Sequence, residues 1–403
     1  MRSLRPAITL GLAGALLLCL LPAPAALAGG GGEFDKAMSI VKSRKKIASR
    51  AAEAKAAFTT VVDAEPRNAH AWYNLGLLAR REGDRKKARS AFQRALRADV
   101  GYLSAKARLA QMDLEEASGD EQRQQARRTL EQMVTCPKDV DCDTVAGVNP
   151  YQPEARNLLA ELAIDEEKWD DAARHARNVL LGDPDNINAY VNLAVTYYRQ
   201  GLVDQTWLIV SNALDRRPEA AALHNLMGLV YLSKDDSSRA TASFLRALDE
   251  DPALVEAKLN MAALELSYGS FSAALKRFDE VLEAGIDDPM VRVSRAVALR
   301  GLQRHAEAAS VYEAVLKSNP ELREVHYNLC VLHQQYTNEW AKAETHCKTF
   351  AESLPRRHRK SREMKRRLDS IAATLEALGP QTAEPPAEPE AEGAGGRPEP
   401  GDE

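Results

Sequence analysis

The chain is 403 residues long, 28% charged and only 5% aromatic, with a formal net charge of −4. Its length exceeds one ordinary domain, and its balanced charge gives no global attraction to nucleic acid. So few aromatic residues suit helices that meet through small side chains.

The first 28 residues read as a targeting segment. Arg2 and Arg5 form a basic start, Ala7 to Leu21 an apolar run, and Ala26-Leu27-Ala28 an A-x-A cleavage signal. The expectation is export, with a mature chain starting at Gly29 and a Gly-rich linker over 29–34. Two other readings stay open. Leu16-Leu17-Leu18-Cys19 puts a cysteine at the depth of a lipidation site, although Leu18 stands where a small residue is usual. The apolar run could also stay uncleaved as an anchor.

From residue 35 onward a pattern returns every 34 residues. One unit carries Trp72, Leu75, Gly76, Gly83, Ala88, Phe92 and Ala95; another carries Gly228, Tyr231, Ala240, Phe244, Ala247 and Pro252. Positions 4, 7, 8 and 11 of the unit make one stripe of a helix, and positions 20, 24 and 27 the same stripe of a second. A turn residue such as Gly83, Gly201 or Gly269 lies between them. A proline such as Pro66, Pro184, Pro218, Pro252, Pro320 or Pro355 closes the unit, because it lacks an amide donor and clashes with the preceding turn. A unit this short cannot bury its own apolar face, so neighbours must stack.

Nine units are predicted, starting near Asp35, Ala69, Leu103, Pro153, Ile187, Ala221, Val255, Pro289 and Arg323. Units 1–3 fill 35–137; the first is degenerate, and the third has a longer internal turn, Ala117 to Gln122. A loop insertion at 138–152 interrupts the array, and units 4–9 fill 153–356. The ninth carries a one-residue insertion that places Cys347, Phe350 and Pro355 late. A capping helix is expected over 357–378, opened by a basic run from Arg356 to Arg367. That run reads as a solvated cap face partly neutralised by the tail, or as a contact for an anionic envelope surface. Residues 379–403 are rich in Pro, Glu, Ala and Gly and cannot bury enough apolar surface to order themselves.

Four cysteines remain after the signal, an even number that suits an oxidising compartment. Cys136 and Cys142 flank a short segment of the interruption. Cys330 and Cys347 occupy facing positions of the ninth hairpin, so the pairs Cys136–Cys142 and Cys330–Cys347 are expected. An alternative uses His326, Cys330 and His333 on one helical face, with Cys347 completing a metal set or a redox-responsive module. No nucleotide-binding, metalloprotease, serine-hydrolase or haem-attachment motif occurs in the chain, which predicts a non-enzyme with no cofactor.

These repeats resemble the tetratricopeptide repeat (TPR) family over most of residues 35–356. The resemblance implies an all-α fold: a right-handed superhelical solenoid of about nine helix-turn-helix repeats plus a capping helix. It also implies that first helices line a concave groove through positions 2, 5, 6, 9, 12 and 13. Position 6 is Asn74, Asn192, Asn260 and Asn328, similar to the asparagine ladder of peptide-binding TPR superhelices. A carboxamide both donates and accepts, matching an extended backbone. Val191, Val195, Tyr198, Leu229, Leu232, Leu259, Leu266 and Tyr327 add an apolar stripe, and Arg199 adds charge. The expected function is a periplasmic or envelope-associated scaffold that binds an envelope protein or peptide segment and no nucleic acid. Membrane association is expected only through Cys19 lipidation or an uncleaved signal. With the secretion signal and the array length, the segment Val325-His326-Tyr327-Asn328-Leu329-Cys330 also resembles the TPR lipoproteins of the myxobacterial gliding-motility machinery. That resemblance implies a place in an envelope motility or secretion assembly.

Overall fold

A computed structural model describes residues 32–42, 47–136, 140, 145–355 and 358–379. The expected signal, the first half of its linker, Cys19, Cys142 and the tail from residue 380 lie outside the described residues. Among those residues the protein is all helical. First helices are α1 (Gly32–Lys42), α3 (Ala69–Arg81), α5 (Leu103–Glu116), α7 (Pro153–Asp165), α9 (Ile187–Arg199), α11 (Ala221–Ser233), α13 (Val255–Ser267), α15 (Pro289–Gly301) and α17 (Arg323–Leu332). Second helices are α2 (Ile47–Ala64), α4 (Arg85–Ala98), α6 (Asp120–Val134), α8 (Trp169–Gly182), α10 (Val203–Arg216), α12 (Ser237–Glu250), α14 (Phe271–Glu283), α16 (His305–Ser318) and α18 (Trp340–Glu352). A last helix, α19 (Ser361–Leu378), follows.

The helices fall into two compact units, Met1–Ser267 and Tyr268–Glu403, so the seventh repeat contributes α13 to the first and α14 to the second. Each unit is a stack of helical hairpins.

The small-residue rule at position 8 has a direct cause. A Cβ on Gly76 would lie 2.4 Å from the Phe92 ring, and one on Gly228 would lie 2.4 Å from the Phe244 ring. Phe92 and Phe244 are fully buried, and the glycines give their rings room to enter the hairpin. Position 4 and the closing proline are also linked: Trp72 Nε1 donates to the Pro66 carbonyl at 2.9 Å, and His224 Nε2 lies 2.7 Å from the Pro218 carbonyl.

In repeats 2 and 4–8 the hairpin turn takes one left-handed residue. Gly83, Gly201 and Gly269 supply it with φ of 78°, 75° and 74°. Glu167, Asp235 and Gln303 occupy the equivalent place in other repeats, at φ 57°, 58° and 62°, and carry the steric cost of a Cβ there.

Two irregularities take forms the sequence did not foretell. In the third repeat the extra residues do not lengthen the turn, which is only Ala117–Gly119; they extend α6 at its N-terminus. Nearly one full helical turn is added, so Ala126, Leu130 and Met133 keep the buried face. In the ninth repeat the single inserted residue becomes a π-helical turn, His333–Thr337, closed by Asn338 at φ 57°.

Candidate functional site

In the Met1–Ser267 unit the first helices α5, α7, α9, α11 and α13 contact one another in succession. Their shared face is where a partner would dock, so the fate of each side chain on it decides what the face offers.

The asparagines at position 6 are already used. Asn74, Asn192 and Asn260 are only 7%, 4% and 4% exposed. Asn192 Nδ2 donates to the Asn157 carbonyl at 3.2 Å and to Asn157 Oδ1 at 3.3 Å. Asn157 Nδ2 in turn donates to Asn186 Oδ1, the same oxygen that caps α9 through the Ala189 amide. Asn260 Nδ2 donates to Asn225 Oδ1 at 2.9 Å, and Asn74 Nδ2 donates to the His70 carbonyl at 2.8 Å. The expected free ladder is therefore corrected to a set of buried bonds, and those of Asn192 and Asn260 cross from one repeat to the next. Buried carboxamides must find partners; those of Asn192 and Asn260 lie on the neighbouring first helix, and that of Asn74 on its own. Asn328, in the Tyr268–Glu403 unit, is half-buried.

The apolar stripe divides by position. Val195 and Leu229, at position 9, are 3% and 0% exposed and belong to the core between adjacent helices, not to a docking surface. Val191 and Leu259, and at position 12 Tyr198, Leu232 and Leu266, stay half-buried, while Arg199 is exposed. Tyr198, Leu232 and Val191 pack on the core with one flank and show the other to solvent. These are the apolar groups that repeats 5–7 still offer.

The same face of repeats 2–4 is polar, and sequence reasoning missed it. Tyr73 OH donates to Glu154 Oε1 at 3.3 Å, and Arg108 Nε donates to the Tyr73 oxygen at 3.4 Å. Gln152 Nε2 bridges Glu154 Oε2 at 2.6 Å and Ser104 Oγ at 3.2 Å. Arg80, 7% exposed, holds Glu115 through Nη2 at 2.6 Å. Burial pushes the Tyr73 hydroxyl up to about 12. Burial likewise raises the Glu161 carboxyl to about 7, Arg108 opposing it and Asp165 and Glu115 adding to it. One signal could have found these contacts. Asn157 and Asn192, Asn225 and Asn260, Tyr73 and Arg108, and Arg80 and Glu115 are each 35 residues apart, one period plus one.

The ninth repeat is arranged differently from its metal alternative. Cys330 and Cys347 are joined, Sγ–Sγ 1.98 Å and Cα–Cα 4.9 Å, at the positions that Gly76 and Phe92 hold in repeat 2. Their thiolates are thus not available as ligands, and the His326, Cys330, His333, Cys347 set does not come together. Among the described residues no group of three or more His, Cys, Asp or Glu could hold a metal ion. Instead His326 Nδ1 meets His346 Nδ1 at 3.0 Å, and the His333 ring stacks on His346 at 6.0 Å. Burial lowers His346 to about 4, with the neighbouring histidines and Lys342 adding to it. Tyr327 is not on an open face either: its hydroxyl donates to Glu363 Oε1 at 3.0 Å, and Lys360 Nζ lies 3.4 Å above its ring. Both partners belong to the capping segment. Cys136 is disulfide-bonded, but its expected partner Cys142 lies outside the described residues.

The fold and this face define a TPR array. The tetratricopeptide repeat profiles match residues 48–102, 163–230, 210–254 and 259–322, and the chain belongs to the TPR superfamily. It is 26% identical over 136 residues to peroxisome biogenesis protein 5 of Arabidopsis thaliana, covering 34% of this chain and 18% of that protein. It is 27% identical over 146 residues to protein FlbA of Caulobacter vibrioides, covering 36% and 24% respectively. The chain thus spans a quarter or less of these two relatives. Among solved structures, the Cut9 and Hcn1 hetero-tetramer is similar at 13% identity, covering 86% of this chain and 75% of that one, with a TM-score of 0.48. A TPR protein from Parabacteroides merdae is similar at 16% identity, covering 66% and 99%, with a TM-score of 0.43. TPR proteins act as scaffolds in protein–protein interactions.

Proposed function

We propose that this protein is an exported scaffold whose first-helix face in repeats 5–7 binds a protein partner of the cell envelope. The observation that carries the reading is the row Tyr198, Leu232 and Leu266, one residue per repeat at position 12, half-buried and not closed over by the array. Apolar side chains aligned across three stacked helices suit a partner segment that covers them. The buried Asn157–Asn192 and Asn225–Asn260 bonds tie α9 to α7 and α13 to α11, which supports a face pre-organised before a partner arrives. The targeting segment and the paired cysteines support an oxidising, extracytoplasmic location, and an envelope motility or secretion assembly is the process the reading favours. No helix among the described residues is long and apolar enough to cross a membrane.

The test is affinity capture from envelope extract with wild-type protein and with Tyr198→Asp, Leu232→Asp and Leu266→Asp combined. Wild-type should retain a defined partner and the variant should lose it, with helicity unchanged. Equal capture by a folded variant would move the site elsewhere.

A further inference from the structure

The capping helix α19 has two faces. Met364, Leu368, Ile371 and Leu375 recur at helical spacing and pack with Cys330, Cys347 and Phe350. The other side carries Arg362, Lys365 and Arg366, with Arg359 just before the helix, and all four are exposed. At this spacing they are neighbours on the helix surface. None of the four has a carboxylate partner among the described residues, and Asp369 does not bond to them. The contrast with nearby cations is clear. Arg367 is held by Glu363 at 3.0 Å and by Gln334 at 2.6 Å. Lys342 and Lys348 sit on Glu339 and Glu344 at 2.9 and 2.8 Å. Helix α19 thus keeps a cluster of like charges that form no ion pair among the described residues.

The segment that follows supplies one. Residues 380–403 carry Glu384, Glu388, Glu390, Glu392, Glu399, Asp402 and Glu403 against a single Arg397. We propose that this acidic segment docks back onto the cationic face of α19, making that face an intramolecular binding surface.

Reach and register favour this occupant. Arg366 lies 13 residues before Gly379, roughly 20 Å along the helix at 1.5 Å per residue, and Arg362 lies roughly 26 Å away. An extended chain covers up to about 3.5 Å per residue. Glu388, Glu390 and Glu392, 9 to 13 residues past Gly379, therefore come within reach of Arg362, Lys365 and Arg366. The segment also carries six prolines between 380 and 400, each without an amide donor. Tethering at Gly379 gives an effective concentration on the order of millimolar for a short flexible connection, so weak individual pairs suffice. Contacts of this exposed kind fade with salt over a Debye length of about 10 Å at 0.1 M.

The experiment is zero-length carbodiimide crosslinking of the full chain, followed by peptide mapping. The Lys348–Glu344 pair, 2.8 Å apart, is the internal reference. At low salt Lys365 should crosslink to Glu388, Glu390 or Glu392 within one chain. The yield should fall at least fivefold in 0.5 M salt, in Glu388→Gln/Glu390→Gln/Glu392→Gln, and in Arg362→Glu/Arg366→Glu, while the reference pair stays constant. No Lys365 product with the tail at low salt overturns the proposal. So does a product that isotope mixing shows to form between chains. Vesicles containing 30 mol% anionic phospholipid give a second arm. The tail-neutralised variant should bind them more tightly than wild-type; equal binding would show that the face is open to a membrane and not occupied by the tail.

Discussion

The first-helix face of repeats 2–4 and that of repeats 5–7 use the same positions for opposite ends. In repeats 2–4 those positions hold Tyr73, Arg80, Arg108, Glu115 and Glu154, which close on one another by hydrogen bonds and an ion pair, and the buried Glu161 carboxyl near Arg108. In repeats 5–7 the position-6 asparagines sit in buried bonds, Asn192 to Asn157 of repeat 4 and Asn260 to Asn225, and position 12 presents Tyr198, Leu232 and Leu266. Polar side chains on this face are thus spent on the array itself, and the apolar ones remain for a partner. A groove cannot be judged by residue type alone. A carboxamide with every partner inside the array has nothing left for a ligand.

The largest effect sets the scale. Phe244→Ala, beneath Gly228, should cost about 3–5 kcal/mol by emptying a closed cavity. Denaturant unfolding would check it, and a loss under about 1 kcal/mol would mean the hairpin collapses around the gap.

Next comes the asparagine pair. Asn192→Ala should cost about 1–3 kcal/mol, because it strips a donor from Asn157 in a site with no solvent. This separates a structural ladder from a ligand ladder. A free ligand-binding asparagine would lose partner affinity with little change in melting, whereas this one should lose melting temperature first.

The polar face should also titrate. Glu161 has a folded pKa near 7, above its ordinary value of 4.5, so the folded state holds its proton more tightly. Its contribution is present below about pH 4.5 and is lost as pH rises through 7. His346 runs the other way: its pKa is lowered to about 4, so stability falls as pH drops from 6.5 toward 4. Glu161→Gln should flatten the alkaline side of a plot of melting temperature between pH 5 and 8 and leave the acid side intact. An unchanged profile would show that the carboxyl is solvated.

A smaller gain is expected at the turn. The turn after α7 carries Glu167 at φ 57°, where the turn after α9 carries Gly201 at φ 75°. Glu167→Gly should raise stability by about 1 kcal/mol, since glycine carries no Cβ penalty in that region. Thermal melts of the pair would decide it. The smallest stability effect belongs to the docking row: Leu232→Ser or Leu266→Ser should cost about 1 kcal/mol or less, as partly exposed positions do. A larger cost would place those side chains in the core beside Leu229.

Much of the fold was legible because the 34-residue period records a packing constraint at each position. Gly76 and Gly228 are small because Phe92 and Phe244 fill their place, and that requirement is written into both helices of the hairpin. The irregular repeats were legible only as offsets. An extra helical turn in α6 and a π-turn at His333–Thr337 keep the same buried faces as a longer loop would, so the pattern of apolar residues does not distinguish them. The face was less legible still. Position number tells which way a side chain points, but whether Asn192 meets water or Asn157 depends on how closely the next first helix approaches. The 35-residue spacing of polar pairs carries that information, and it emerges only when neighbouring repeats are compared with each other and not with a consensus.

The central claim is that the apolar row of repeats 5–7, and not the polar face of repeats 2–4, receives the partner. In-cell photocrosslinking with a benzophenone side chain at Leu232 or Leu266, and in parallel at Gln111 on the polar face, tests it most directly. Leu232 and Leu266 should each give one discrete heavier product of the same partner, abolished by Tyr198→Asp, and Gln111 should give no such product. A product from Gln111 with none from Leu232 and Leu266 would contradict it.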